Sequence, residues 1–146
     1  VYSEKYNEKG AAALTDGLLG LNDYHFNWLG FQGEDMDAVI DLEELRLIES
    51  IETRFLQQNR AWIFFPKRVI YEISVDGITF EPFATIENYV FPERGGLLIN
   101  DFSKEMEEGM PARYIRIRAE SLKTCPDWHL GAGKPCWIFV DEVIVK

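Results

Sequence analysis

One short stretch of this chain collects side chains suited to binding. Gln57-Gln58-Asn59-Arg60-Ala61-Trp62 places amides, a guanidinium and an indole within six residues. A sugar site needs that kind of set: an aromatic face for the apolar side of a ring and fixed polar groups for its hydroxyls. Trp128-His129 forms a second aromatic and polar pair, and His25, in Tyr24-His25-Phe26, is the other histidine. For Trp62 and Trp128, core and surface positions stay equally open, because tryptophan is rarely buried completely. His25 is read either as scaffold or as a ligand contact.

Catalysis has weaker support. Glu34, Asp35, Asp37, Asp41, Glu43 and Glu44 make a carboxylate-rich run, and paired carboxylates at set separations cleave glycosides. The simpler reading of this run is a solvated loop. The chain carries no nucleophile elbow, no phosphate-cradling glycine loop and no histidine cluster at metal-ligand spacing. The reading is therefore a binding domain and not an enzyme.

The elements that must hold these residues are mostly strands. Val69, Tyr71, Ile73 and Val75 alternate with more polar residues, and Ile115, Ile117 and Ala119 alternate with Arg116 and Arg118. Asp76-Gly77 followed by Ile78–Phe83 predicts a hairpin. Val39–Leu42, Leu97–Phe102 and Trp137–Val145 are further strand candidates. Gly10–Gly33, rich in Gly, Asn and Asp, reads as a long ordered loop. Leu42, Leu45, Ile48, Ile51 and Phe55 fit a helical stripe, while Ile51, Thr53 and Phe55 fit strand alternation. Several short strands at regular spacing argue for an antiparallel sandwich or barrel.

The bulk numbers agree with one such domain. The chain has 146 residues, 47% hydrophobic and 14% aromatic, enough to bury roughly 70% of its unfolded surface. A net charge of −10 makes nucleic acid and anionic membrane poor partners, while neutral sugars remain compatible. No apolar run of about 18 residues marks a spanning segment. The chain begins with Val1, as an excised domain or processed product would. Cys125 and Cys136 are the only cysteines, with ten turn-rich residues between them. A disulfide adding ~2–3 kcal/mol and a pair of buried thiols are both open.

Taken in order, several segments resemble the discoidin, or coagulation factor 5/8 type C, family. They are Ala13-Leu14-Thr15-Asp16-Gly17, Trp28–Phe31 followed by Val39–Leu42, Ser74–Phe80, Ala112–Ile117 and Trp137–Val143. The stretch from Pro126-Asp127-Trp128-His129 to Trp137 is most similar to modules on the C-terminal side of bacterial β-N-acetylhexosaminidases. The resemblance implies an all-β, jelly-roll-like antiparallel sandwich of about eight main strands, with residues 1–146 as one galactose-binding-domain-like module of a larger glycoside hydrolase. On that ground Glu49–Leu56 is read as strand. Trp28 and Trp137 match core aromatics of the family, and Phe64 and Phe65, before Pro66, are read as a buried edge.

The same resemblance implies a secreted or periplasmic, non-catalytic accessory module that binds terminal sugars of the galactose or N-acetylhexosamine type through His25, Asn59, Arg60, Trp62, Trp128 and His129. The alternatives are a structural domain packed on its parent catalytic domain and a protein or cell-surface adhesion module. The resemblance further implies a structural calcium ion. Its ligands would be the Ala13 carbonyl, the Asp16 side chain, Asn22 or Asp23, the Asp141 carbonyl and the Glu142 carboxylate. Leu18 and Leu19, where relatives often have Asn, depart from the common pattern.

Overall fold

The structure, a computed structural model, describes residues 24–146, with side chains from residue 30 onward, Asp141 excepted. Six strands occur among the described residues: β1 (Tyr24–Gln32), β2 (Met36–Gln57), β3 (Arg68–Ser74), β4 (Glu81–Glu87), β5 (Leu98–Ala119) and β6 (Trp137–Val145). Their hydrogen-bonded order is β1-β6-β2-β5-β3-β4, with every neighbouring pair antiparallel.

Two strands are 22 residues long, and the register shows what they do. The end half of β2, from Ile51 on, lies between β6 and the start of β5. The opening half, Met36–Asp41, pairs with residues 114–119 of β5, which in turn pair with β3. Each long strand thus runs through both layers of a sandwich. One layer is β1, β6, late β2 and early β5; the other is early β2, late β5, β3 and β4. The eight expected strands are present as eight strand segments.

Both long strands bend at the same place. Pairing slips between Asp41 and Arg46 and again between Ile48 and Ser50, as bulges do where a sheet turns a corner. At the bend Gly109 has φ +57°, and a Cβ there would lie 2.8 Å from Leu47 Cγ. Only glycine fits that crossing without strain.

Period-two alternation then fills the interior. Ile40, Ile48, Ile51 and Phe55 of β2, Val69, Tyr71 and Ile73 of β3, and Ile115, Ile117 and Ala119 of β5 are all buried in one cluster. On β6, Ile138, Val140, Val143 and Val145 join it. Val140 and Val143 can both face inward because the register slips there, Arg54 pairing with Glu142 and Phe55 with Val140, which leaves Asp141 as the extra residue of a bulge. Tyr71, fully buried, ties the layers: its hydroxyl makes hydrogen bonds with Thr53 Oγ1 (2.7 Å) and with the Phe102 carbonyl.

Three expectations need correction. Residues 24–32 are a strand and not part of a loop, because β6 offers them a full antiparallel partner. The acidic run is not a solvated loop from Asp37 on but the edge of β2, where Asp37 and Asp41 take bidentate hydrogen bonds from Arg116 and Arg113. The Asp76-Gly77 hairpin is longer than predicted. Asp76 Oδ1 accepts the N–H groups of Ile78 and Thr79, which holds Ile78 in the turn, 84% exposed, and delays β4 to Glu81. Trp137 is buried as expected, in a smaller core cluster with Leu56 and Ile63. Phe64, Phe65 and Pro66 are buried as expected.

Candidate functional site

The strand directions gather three connections at one end of the sandwich: residues 58–67 after β2, 88–97 after β4, and 120–136 before β6. Backbone hydrogen bonds fasten the first to the third. The Trp137 N–H donates to the Trp62 carbonyl (2.8 Å) and the Phe64 N–H to the Trp137 carbonyl (3.0 Å). Trp62 caps a 3-10 turn, Asn59–Ala61, in the left-handed region (φ 67°), a conformation that costs a non-glycine residue of order 1 kcal/mol or more.

Beneath these loops lies an apolar floor of Phe64, Cys125 and Cys136, with Trp62 and Leu122 packed against it. Both cysteines are buried free thiols. Burial pushes both up, and Cys136 reaches about 11.

On this floor the two aromatic and polar pairs of the sequence meet. His129 is the junction. Its Nδ1 accepts the Gly131 N–H (2.9 Å) and its Nε2 lies 2.6 Å from the Asn59 carbonyl. The pair of contacts requires a neutral ring with its proton on Nε2. Around it stand Trp62, Trp128 and Phe64, all edge-on, with ring centroids 5.8, 5.7 and 5.5 Å away. The Trp62 ring lies against Gly131, where a Cβ would be 2.8 Å from two of its carbons.

The roles within this group differ from expectation. Asn59 is buried, and its amide nitrogen donates to the carbonyls of Pro92 (3.1 Å) and Arg94 (3.4 Å). Gln57 does the same for Phe91 (3.1 Å), while its Oε1 accepts the Phe65 N–H. These two amides therefore hold the 88–97 loop. Trp128, 47% exposed, faces solvent, as do Gln58 and Arg60. Trp62 is half-buried between the two satellite clusters.

His25 is not part of this group. Its backbone pairs with Ile144, whereas Trp137 marks the loop end of the same strand. Seven residues of extended chain put it about 23 Å away. The reason is direction: β1 starts at the far end and runs towards the loops.

Sequence reading missed the 88–97 loop. Tyr89 and Phe91 are 86% and 76% exposed, on a segment fixed from below by Gln57 and Asn59. Two aromatics in Asn88-Tyr89-Val90-Phe91-Pro92, just before Gly95-Gly96, were the available signal.

Of the expected calcium ligands, Ala13, Asp16, Asn22 and Asp23 lie outside the described residues, as does the Asp141 side chain. Glu142 is described, and its Oε2 is 3.1 Å from Arg54 Nη1. Arg54 also meets Asp101, and the neighbouring Glu52 carboxyl is raised by its own burial first and by Asp101 second. Among the described residues no group of three or more His, Cys, Asp or Glu is placed to hold a metal ion. The Glu142 carboxylate faces the Arg54 guanidinium, so an ion bound there would share it with that cation.

Two surface depressions lie away from the aromatic group. One of about 380 Å³ is bordered by Ser74, Asp76, Glu81 and Met110 at the opposite end, and one of about 210 Å³ by Asp35, Asp37, Arg116 and Arg118 on the β2–β5–β3 face. In the second, the arginines are already matched: Arg116 pairs with Asp37 and Arg118 with Glu72.

An all-β antiparallel sandwich with loops gathered at one end defines the class. Among solved structures the chain is similar to the CBM32-3 module of a family 31 glycoside hydrolase from Clostridium perfringens, with 14% identity, 95% of this chain and 83% of that one covered, and a TM-score of 0.51. It is also similar to the CBM32-1 module of a family 31 glycoside hydrolase from that organism (18% identity, 93% and 86% covered, TM-score 0.48). A third is the C-terminal domain of a chitobiase from Bacteroides fragilis (19% identity, 97% and 87% covered, TM-score 0.47). No family model and no curated protein sequence matches the chain. At these identities the likeness is one of fold. No described helix is long and apolar enough to cross a membrane.

Proposed function

We propose that this chain is a non-catalytic, carbohydrate-binding accessory module of a secreted or periplasmic glycoside hydrolase, and that it binds a terminal sugar at the loop end. One observation carries the reading. Trp128 is held half-exposed by edge contacts with His129 and Phe64, at the same end of the sandwich as the exposed Arg60, Tyr89 and Phe91. An aromatic surface fixed from below, with polar groups at its rim, suits the apolar face and hydroxyls of a pyranose. The sandwich shared with the CBM32-3 module is compatible with it. A single shallow site binds weakly, and linkage to a catalytic domain raises the effective affinity.

The test is an NMR titration with galactose, N-acetylglucosamine and N-acetylgalactosamine. Resonances of Arg60, Trp128 and the 89–91 segment should move at millimolar sugar. If none moves at high millimolar concentration, sugar binding is refuted.

A second reading is supported at the other end, where Leu45, Leu47, Val75 and Ile78 are each more than half exposed: packing of that end against the parent catalytic domain. Deleting the module would then lower the parent's melting temperature. Binding by the module alone would leave that temperature unchanged and reduce activity only on polymeric substrate.

Calcium through Asp16 and Glu142 belongs to this proposal as well. An ion bound only by the folded chain raises the melting midpoint, so chelator should lower it. Equal midpoints would remove the ion from the proposal.

A further inference from the structure

The chain has eight arginines, all described, and six of them sit in ion pairs. Arg46 pairs with Glu44, Arg54 with Asp101 and Glu142, Arg68 with Glu87 and Glu120, Arg113 with Asp41, Arg116 with Asp37, and Arg118 with Glu72. In a chain with 25 carboxylates against 15 basic residues, paired arginines are what excess acid produces.

Arg60 and Arg94 break the pattern. Both are exposed, and neither guanidinium has a carboxylate within ion-pair distance among the described residues. Both belong to the loop end. They are also joined through one residue: Asn59 donates its side-chain amide to the Arg94 carbonyl (3.4 Å) and is covalently bound to Arg60. The two unpaired guanidiniums therefore rise from adjoining backbone, on loops that the buried amides of Gln57 and Asn59 hold fixed. Glu93 and Asp127, acids of the same loops, are exposed and form no ion pair with either arginine among the described residues. Over residues 57–67, 88–97 and 120–136 there are five Lys or Arg and three Asp or Glu, in a chain whose net charge is −10.

We infer that the preferred ligand is an acidic sugar: a pyranose bearing a carboxylate, whose charge is read by Arg60 and Arg94 while the exposed aromatics take the ring. This deepens the sugar-binding reading and rests on it. Arginine suits the task because its planar fork matches a carboxylate with two parallel hydrogen bonds. Preorganised loops also reduce the ordering cost that exposed ion pairs otherwise carry.

The decisive comparison uses sugars of one ring shape. Galactose, galacturonate, galacturonate methyl ester and galactose 6-sulfate are titrated against the intact module by NMR at low and at 0.3 M salt. Galacturonate should bind about tenfold more tightly than galactose, the gain of two exposed charge contacts. The gain should shrink at high salt and vanish in the methyl ester. The double variant R60Q/R94Q, with melting temperature checked against the parent, should bring galacturonate down to the level of galactose. Equal affinity for galactose and galacturonate overturns the acidic preference and leaves the sugar-binding reading standing. Tighter binding of the 6-sulfate than of galacturonate overturns the carboxylate assignment. Failure of all four sugars and of the N-acetylhexosamines overturns both.

Discussion

Gln57→Leu tests the idea that the loop end is fixed from inside. Gln57 is 1% exposed. Its Oε1 accepts the Phe65 N–H (3.1 Å), and its Nε2 donates to the carbonyls of Phe91 (3.1 Å) and Arg94 (3.5 Å). Leucine is close in volume, so the cost is one of lost hydrogen bonds. The buried Phe65 N–H is left without an acceptor, which costs about 1–3 kcal/mol. The Phe91 and Arg94 carbonyls lie on an exposed loop and can turn to water, so they add little to global stability. The expected destabilisation is about 2 kcal/mol, which for a domain of this size lowers the melting midpoint by roughly 4–8 °C. The local effect should be larger than the global one: amides of residues 88–97 should exchange faster while those of β3 keep their protection. Thermal unfolding followed by circular dichroism and peptide-resolved hydrogen exchange measure the two effects. Gln57→Glu keeps an acceptor for Phe65 but sets an oxygen against the two loop carbonyls, so it should loosen the loop as well. A midpoint within about 1 °C of the parent, with unchanged exchange over 88–97, would refute the reasoning.

Other expectations follow from single contacts. Tyr71→Phe removes the hydroxyl joining the two layers at Thr53 and Phe102, and denaturant unfolding should show a loss of about 1–2 kcal/mol without a change in fold. Gly131→Ala pushes a methyl group into the Trp62 ring, whose backbone is fixed on both sides; a cost of about 1–3 kcal/mol should come with a shift in tryptophan emission. In alkali, Cys136 is raised from 9.0 to about 11 by burial, and the buried Tyr71 phenol is raised as well, again by burial first. Folding thus favours their neutral forms. Their contribution is complete below pH 9, and for Cys136 it is lost as pH rises from about 9 through 11. A midpoint-versus-pH curve should fall in that window, and Cys136→Ala should flatten the fall. In acid the sign reverses: Asp37 is held below its usual value by the Arg116 hydrogen bonds, so its contribution is present above pH 4 and fades below it.

Much of the sandwich was legible because alternation is a local property. Residues 69–73, 114–119 and 137–145 each face one buried layer and read as strands without outside help, whereas Val75, expected to continue the first, lies past its end and is exposed. Leu42–Phe55 did not, since Leu42, Leu45, Ile48, Ile51 and Phe55 fit the helical period while Ile51, Thr53 and Phe55 fit the strand one. The residue that separates them is Leu45, 58% exposed because the bend lifts it out of register. Bends and bulges depend on partners distant in sequence: Gly109 against Leu47, and Asp141 opposite the Arg54–Phe55 step. The binding group was legible by residue type and not by role. Asn59 offers an amide, and nothing local distinguishes one that meets ligand from one that holds a loop 33 residues away. The convergence of Trp62 and Trp128 on His129 likewise depends on chain closure.

That division of roles explains how a stable fold can present an adaptable surface. The polar groups best suited to ligand recognition by type, Gln57 and Asn59, are spent inside, where unmet hydrogen bonds would be costly. His129 is spent too, with both ring nitrogens engaged. What remains in solvent includes Gln58, Arg60, Arg94, Tyr89, Phe91 and Trp128, whose exposed faces can change without unsettling the layers below. Such a site predicts asymmetric outcomes of substitution. Arg60→Gln or Trp128→Ser should alter which sugar is held with little change in melting temperature. Asn59→Ala should weaken every ligand together, because the donor lost is the one tying the 58–67 loop to Pro92 and Arg94. Paired melting and titration curves for these three variants decide the matter: selectivity that follows Asn59 and ignores Arg60 would place recognition in the buried amides and reverse the assignment.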